Sequence, residues 1–378
     1  MSIELTEEQL ATQDAVRAFV RKELEPAAAE IDEKDEYPEK IVKGLAGLGV
    51  LGMEVAPEYG GTEADSISGA LVCQEVAWGS ASVGNIVSAI RLNTFLINKF
   101  GTEAVKKRWL PSMVQGKKLA SFAITEPSAG SDVSSIRTTA TREGDEYVIH
   151  GGKVFITLAP VADGFITLCY LDKSKGTRGM ATVLVERDRP GVSIGKHERK
   201  LGQLGNPVAA VDFDHVRVPA ENLLGAEGQG FKIMMTGLDV TRIDIAAIGL
   251  GLSQAALDAS RNYALQRVQF EQALAKFQAI QFKLADMATD IEAGKWLTYR
   301  ACTLRDQGVR YTREAAMAKL FCTDNCMRHT TEAVQVFGGY GYTKDYPVER
   351  FFRDAKLTQI YDGTSEIQRI VIARSVLD

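Results

Sequence analysis

A chain of 378 residues exceeds one ordinary hydrophobic core, so two or three domains or layers are expected. Apolar residues make up 45% and charged residues 25%, the balance of a soluble globular protein rather than a disordered one. A net charge of −5 without a basic cluster excludes a nucleic-acid footprint, and no apolar run approaches the ~18 residues of a membrane span.

Residues 1–120 read as an N-terminal helical domain. The acidic start, Met1 to Glu8, lacks the basic and apolar regions of a signal peptide. Thr6 and Gln9 form a capping box, and Leu10, Ala15, Val16, Phe19 and Val20 continue an apolar face. The acidic run Glu30 to Glu36 reads as a solvated face, Pro57 to Thr62 as a turn, and Val83 to Phe100 as a long helix. Residues 121–235 read as a central β domain. Glu146 to Thr157 looks like two short strands around a Gly151-Gly152 turn. Phe165 to Tyr170, Ala181 to Val185 and Ala209 to Phe213 add further strands. Residues 236–378 read as a C-terminal helical domain, helical from Gly237 onward, which makes the fold α+β. The odd count of five cysteines, Cys73, Cys169, Cys302, Cys322 and Cys326, argues against a disulfide framework. A cytoplasmic location is expected.

Near the C-terminus, Ile360-Tyr361-Asp362-Gly363-Thr364-Ser365-Glu366-Ile367-Gln368 places one carboxylate in a Gly-punctuated turn before an apolar-periodic helix. Asp362 is either the residue that does chemistry or an ordinary helix-start acid. Ser365 with Gln368 makes a capping box for that helix. The loop Ile124 to Asp132 is rich in small residues and can offer N–H groups and hydroxyls to an anionic or heteroaromatic ligand, or be a turn between domains. Gln335 to Tyr342 places glycines where helix-to-loop backbone approaches something closely. No Gly-x-Gly-x-x-Gly follows a strand, and no Walker A sequence, Ser elbow or Cys–His pair occurs. The four histidines are far apart in sequence, so no metal site is expected.

Taken together, these separated motifs resemble the acyl-CoA dehydrogenases, flavoproteins that oxidise acyl-CoA thioesters to enoyl-CoA. The resemblance runs from near residue 5 to residue 377. It implies an N-terminal helical domain, a central β domain and a C-terminal four-helix domain, usually as a homotetramer. It also implies FAD between the β and C-terminal domains and electron-transfer flavoprotein as partner. Carried over residue by residue, Phe122 to Ser131 looks like the first flavin-contacting loop, including Ile124, Thr125 and Gly130, with Ser131 near both FAD and the CoA chain. Phe155, Ile156 and Thr157 resemble the second, with an aromatic ring where the family often has Trp. Arg267, Gln269 and Phe270 look like contacts to the FAD of another subunit, with Phe277 and Gln278 close by. Gln335, Val336, Gly338 and Gly339 resemble the adenosine-diphosphate clamp, and Thr364 and Glu366 its end near the catalytic turn. Asp239 through Arg242, with Tyr361 and Gly363, correspond to CoA-substrate contacts.

The implied chemistry needs a carboxylate poised at the thioester α-carbon while hydride leaves the β-carbon for flavin N5. The family's base at the Tyr-x-Gly-Thr position is usually Glu; here it is Asp362, shorter by roughly 1.5 Å. A substrate bulky at its α-carbon, such as cyclohexanecarboxyl-CoA, is the favoured reading. Others are a slower base for an ordinary chain and a vestigial acid. Arg91 falls where the family commonly has an apolar pocket residue. It either turns outward or faces the pocket, serving a substrate carboxylate or pairing with Asp362 or Glu75. Short, branched or dicarboxylic acyl groups, and a flavin oxidase on the same fold, are the alternatives.

Overall fold

The computed structural model describes residues 4–377. The first helix, α1 (Glu7–Phe19), opens on the expected capping box: the Thr6 hydroxyl accepts from Gln9 N at 3.2 Å, and Gln9 Oε1 accepts from Thr6 N at 2.9 Å. Val16 and Val20 are buried as the periodicity requires, whereas Leu10 stays 44% exposed. Gln9 takes the inward position instead, because its amide donates to Asp65 at 2.6 Å. A π-helical turn leads into α2 (Glu25–Lys34), followed by α3 (Glu39–Gly47), α4 (Ser66–Gly79), α5 (Ala81–Phe100) and α6 (Glu103–Met113). The expected turn at Pro57 is a short 3-10 segment, Pro57–Tyr59. The acidic run of α2 is not wholly solvated. Asp32 is buried and accepts from both Arg353 Nη atoms at 3.0 and 2.6 Å, tying the N-terminal helices to the C-terminal part of the chain.

The central sheet begins with β1 (Ala120–Ala123) and continues through β2 (Thr139–Glu143), β3 (Glu146–Thr157), β4 (Gly164–Tyr170), β5 (Met180–Glu186), β6 (Val192–Ile194), β7 (Val208–Pro219) and β8 (Leu223–Leu224). Its order is β6-β7-β3-β2-β4-β5-β8, with β1 parallel to β4. Glu146 to Thr157 is one strand, not a hairpin. Gly151 and Gly152 sit at a register shift within it, and a Cβ on Gly151 would come within 2.6 Å of the Thr138 hydroxyl. The β3–β7 pairing also brings together histidines that are distant in sequence. His150 and His215 have ring centroids 4.5 Å apart beside Asp214, all exposed.

The C-terminal part starts seven residues before the expected Gly237, with α7 (Gly230–Gln266), a single helix of 37 residues. Gly230 is required at its start, because a Cβ would meet the Ala181 backbone at 2.4 Å. A two-stranded hairpin, β9 (Val268–Gln269) and β10 (Gln272–Ala273), links it to α8 (Gln278–Asp306). Then come α9 (Thr312–Phe337), a 3-10 turn Gly338–Tyr342, α10 (Val348–Thr358) and α11 (Ser365–Leu377). One apolar core joins α4, α7, α8 and α9, and another joins α5 and α6 to the sheet. All five cysteines are free and buried. Among the described residues, no helix is long and apolar enough to cross a membrane.

Candidate active site

Between α10 and α11 the chain makes a turn in which Asp362 has φ +51° and Gly363 has φ +90°. Left-handed backbone is uncommon outside glycine, though Asp adopts it more readily than most residues, and neighbours hold Asp362 there. Two side chains do so. Lys319 of α9, with no exposed surface, donates from Nζ to Tyr361 O at 2.8 Å and to Gly363 O at 2.5 Å. Gln368 of α11, also fully buried, donates to Gly363 O at 2.7 Å and to Asp362 O at 3.4 Å. The expected Ser365–Gln368 capping box is therefore absent. Thr364 caps α11 through Ile367 N at 3.3 Å, Ser365 donates to Asp324 at 2.8 Å, and Gln368 is spent on the turn.

Burial pushes the Asp362 carboxyl above the usual carboxylate range, against the opposing pull of Lys319, the Thr241 hydroxyl and Arg242. A carboxylate raised by burial yet tied to a cation suits a general base. Arg242 donates to Asp239 at 2.5 Å, and Asp239 also accepts from Thr312 at 2.7 Å. The Arg242 Nε is buried with no hydrogen-bond partner among the described residues, and its Nη2 lies 3.9 Å from the Cβ position of Gly363. A buried cation with an unused N–H beside the turn is suited to a carbonyl or anionic group of a ligand. Tyr361 lies half-buried in the core shared by α4, α7 and α9.

A second group forms at the sheet. Val154 N donates to Thr125 O at 2.9 Å, so the two predicted flavin loops adjoin. The buried Lys153–Glu126 pair, 2.8 Å apart, pins the first loop from beneath, with Lys153 also donating to Ile124 O at 3.2 Å. Phe122, Ile124, Thr125 and Thr157 are half-buried, and Gly130 and Ser131 are exposed. Phe155, on left-handed backbone at φ +57°, holds its ring 66% exposed. Ile156 turns its side chain into the sheet core, leaving only its backbone for a ligand.

A third group gathers at the β9–β10 hairpin. Phe270 is 88% exposed with its ring edge-on to Phe277, and the Arg267 guanidinium lies 5.6 Å from the Tyr340 ring centre. Gln269, Gln278 and Gln335 are exposed, whereas Val336 is buried in α9. Gly338 has φ +62°, and a Cβ there or on Gly339 would meet nothing within 4 Å, so backbone is open to close approach from outside. Glu366 is exposed. Arg242 and Arg267 are 25 positions apart on one stretch, about 37 Å at helical rise, so the hairpin does not join its own chain's Asp362 turn.

Arg91 faces neither solvent nor Asp362 nor Glu75. It is 2% exposed and donates to Glu54 at 2.9 Å, Asp244 at 3.1 Å and Gly69 O at 3.0 Å. Glu75 is taken by Arg17 at 2.7 Å. The pairing with two acids neutralises Arg91 without a substrate carboxylate. Lys319 and the partners of Arg91 were not picked out from sequence; Thr241 fell within the Asp239 to Arg242 stretch expected to touch CoA, and Gln368 was expected only as a helix cap. A lysine in the otherwise apolar face of Ala315, Ala316, Cys322 and Cys326 was the available signal for Lys319.

The described families that match are "Acyl-CoA dehydrogenase, N-terminal domain" over residues 6–117, "middle domain" over residues 121–216 and "C-terminal domain" over residues 228–377. The chain belongs to the acyl-CoA dehydrogenase family. Its three-domain α+β fold is that of an acyl-CoA dehydrogenase, an oxidoreductase class of flavoproteins. A cyclohexane-1-carbonyl-CoA dehydrogenase of Geobacter metallireducens is 44% identical, with 98% of each chain covered. The butyryl-CoA dehydrogenase structure from Megasphaera elsdenii has a TM-score of 0.97 at 43% identity, with 100% of each chain covered. A chain from a structure described as the electron-transferring flavoprotein of Acidaminococcus fermentans, directed at flavin-based electron bifurcation, has a TM-score of 0.97 at 42% identity, again with 100% of each chain covered.

Proposed function

We propose that this acyl-CoA dehydrogenase carries out α,β-dehydrogenation of a cyclic acyl-CoA such as cyclohexanecarboxyl-CoA, with Asp362 taking the α-proton and electrons passing to electron-transfer flavoprotein. The observation that carries the reading is Asp362 itself: a desolvated carboxylate, one methylene shorter than the family's usual Glu, on a turn fixed from both sides. A ring at the α-carbon occupies space that a straight chain leaves to a longer base. A misplaced base is costly, since about 1 Å can cost on the order of 10²-fold in rate.

FAD suits the residues present. Exposed Phe155 and Phe270 offer rings on left-handed backbone, and Gly338 and Gly339 offer bare peptide. We assign Phe122 to Ser131, with Phe155 and Thr157, to the flavin end. Arg267, Phe270, Phe277, Gln278 and Gln335 to Gly339 are assigned to the phosphate and adenine end, across a homotetramer. FAD when bound supplies the two-electron acceptor. Of the chain's own groups, Asp362 accepts the proton, Arg242 and Asp239 orient the CoA thioester, and Lys319 and Gln368 keep the turn in place. The N–H of Asp362 is available to the thioester oxygen.

A short-chain substrate is the second reading, favoured by the likeness to butyryl-CoA dehydrogenase, because 43% and 44% identity do not separate the two. A dicarboxylic substrate is disfavoured, since Arg91 already has Glu54 and Asp244. Anaerobic flavin bleaching against straight, branched, cyclic and dicarboxylic acyl-CoAs tests the reading. Bleaching by cyclohexanecarboxyl-CoA is expected; bleaching by straight chains alone would overturn it, and oxygen-dependent turnover without acyl-CoA would replace it with an oxidase.

A further inference from the structure

Lys319 has no solvent exposure, yet among the described residues no carboxylate accepts a hydrogen bond from it. Its two acceptors are the carbonyls of Tyr361 and Gly363, the residues on either side of Asp362. A buried ammonium without a hydrogen-bonded counter-ion is costly, and a neutral donor such as Gln368 already anchors the same turn through Gly363 O. Holding the turn therefore does not by itself require a lysine. What the lysine adds is charge. The groups that face it are Asp362 in the turn, Arg242 on α7, Asp324 on its own helix and Glu366 on α11, with Asp362 the strongest influence raising its pKa. Asp324 is itself engaged by Ser365, Gln359 and Arg369. The groups facing Asp362 are Lys319, Thr241 and Arg242. Arg242 is committed to Asp239, which leaves Lys319 as the cation nearest in influence to the base.

We propose that Lys319 is a positioning residue for the base: its two carbonyl bonds aim Asp362, and its charge keeps that carboxyl ionised in the resting enzyme. Burial lowers the Lys319 pKa to about 8 against the upward pull of Asp362, Asp324 and Glu366, which leaves the residue mostly protonated at neutral pH. The proposal rests on the assignment of Asp362 as base. Its consequence is directional. Removing a positive charge beside a carboxylate raises the carboxylate's pKa, and a base works only above its own pKa.

The test measures kcat/KM against pH in the FAD-loaded enzyme, with an acyl-CoA that bleaches the wild-type flavin. Lys319→Met is expected to move the acid limb upward by about one pH unit. The same substitution should lower kcat at neutral pH by tenfold or more with KM little changed. Lys319→Arg, which keeps the charge, should leave the limb near its wild-type position even where kcat falls. Gln368→Leu, which removes an uncharged anchor, should lower kcat without moving the limb. If Lys319→Met does not yield folded flavoprotein, Lys319→Gln carries the measurement with the same expectation. An unmoved limb in the neutral variants would reduce Lys319 to a structural tie and overturn the proposal. Wild-type enzyme inert toward all acyl-CoAs, or Asp362→Asn fully active, would instead remove the assignment on which it rests.

Discussion

Arg91 donates to Asp244 at 3.1 Å, with both side chains almost wholly buried. Asp244 lies three positions after Thr241 on α7, so this ion pair is one helical turn from a contact of the Asp362 carboxylate. Glu54 completes the cluster by accepting from Arg91 at 2.9 Å and from Arg305 at 2.7 Å, which balances two cations against two anions. Truncating one member leaves buried charge without a partner. Arg91→Met should lower unfolding stability by about 3–5 kcal/mol, read from urea midpoints at neutral pH. The double variant Arg91→Met, Asp244→Asn should lose less than the sum of the single losses.

Replacement of Asp362, the proposed base, separates chemistry from binding. Asp362→Asn should retain flavin and acyl-CoA binding while turnover falls roughly 10²- to 10⁴-fold, the usual share of a positioned base. Asp362→Glu restores about 1.5 Å of reach. It should therefore raise the ratio of butyryl-CoA to cyclohexanecarboxyl-CoA turnover; an unchanged ratio would show that base length does not select the acyl group.

Cofactor retention should depend on residues far from the turn. Arg267→Ala and Phe270→Ala are expected to lose FAD on gel filtration, seen as a lower ratio of flavin to protein absorbance, without loss of the folded β domain. Gly338→Ala meets a backbone barrier, since φ +62° with ψ −137° is reserved in practice for glycine. Its cost should be about 1–3 kcal/mol in thermal or urea unfolding, even though a Cβ there touches nothing.

Asp354 supplies a pH-dependent stability term. Burial raises its carboxyl to about 7, against the Gln203 N–H that it accepts. In the unfolded chain the same carboxyl titrates near ~4, so the folded state holds its proton to higher pH. The stabilisation is complete below ~4 and is lost as pH rises through about 7. Asp354→Asn should therefore flatten the decline of melting temperature between about pH 5 and about pH 8, with the largest gain over wild type at the alkaline end.

Much of this arrangement was legible in the chain because local chemistry spoke for itself. The Thr6–Gln9 cap, the buried run of α5 and the carboxylate of Asp362 each carry their own signal. What failed was what depends on distant partners. Glu146 to Thr157 has the glycine pair of a hairpin, yet those glycines serve close packing against Thr138 and Asp212 from elsewhere in the domain. Ser365 looks like a cap, but Asp324 draws its hydroxyl away and Thr364 is left to cap the helix. Arg91 could be placed on its helix but not matched to Glu54 and Asp244, which lie 37 and 153 positions away. Lys319 shows in the chain only as a lysine on an apolar helix face; its acceptors are backbone carbonyls, and no residue type announces those.

The unbroken helix α7 makes the protein hard to retune piecemeal. At its N-terminal end Gly230 is locked against the sheet, further along it presents Asp239, Thr241, Arg242 and Asp244, and it delivers the hairpin at Arg267. A single inserted residue between Arg242 and Arg267 would swing the hairpin by roughly 100° and shift it about 1.5 Å along the rod. Substitutions at its surface are tolerable; changes of length are not. The rod acts as a ruler: its length fixes how far the hairpin at Arg267 stands from Asp239 and Arg242.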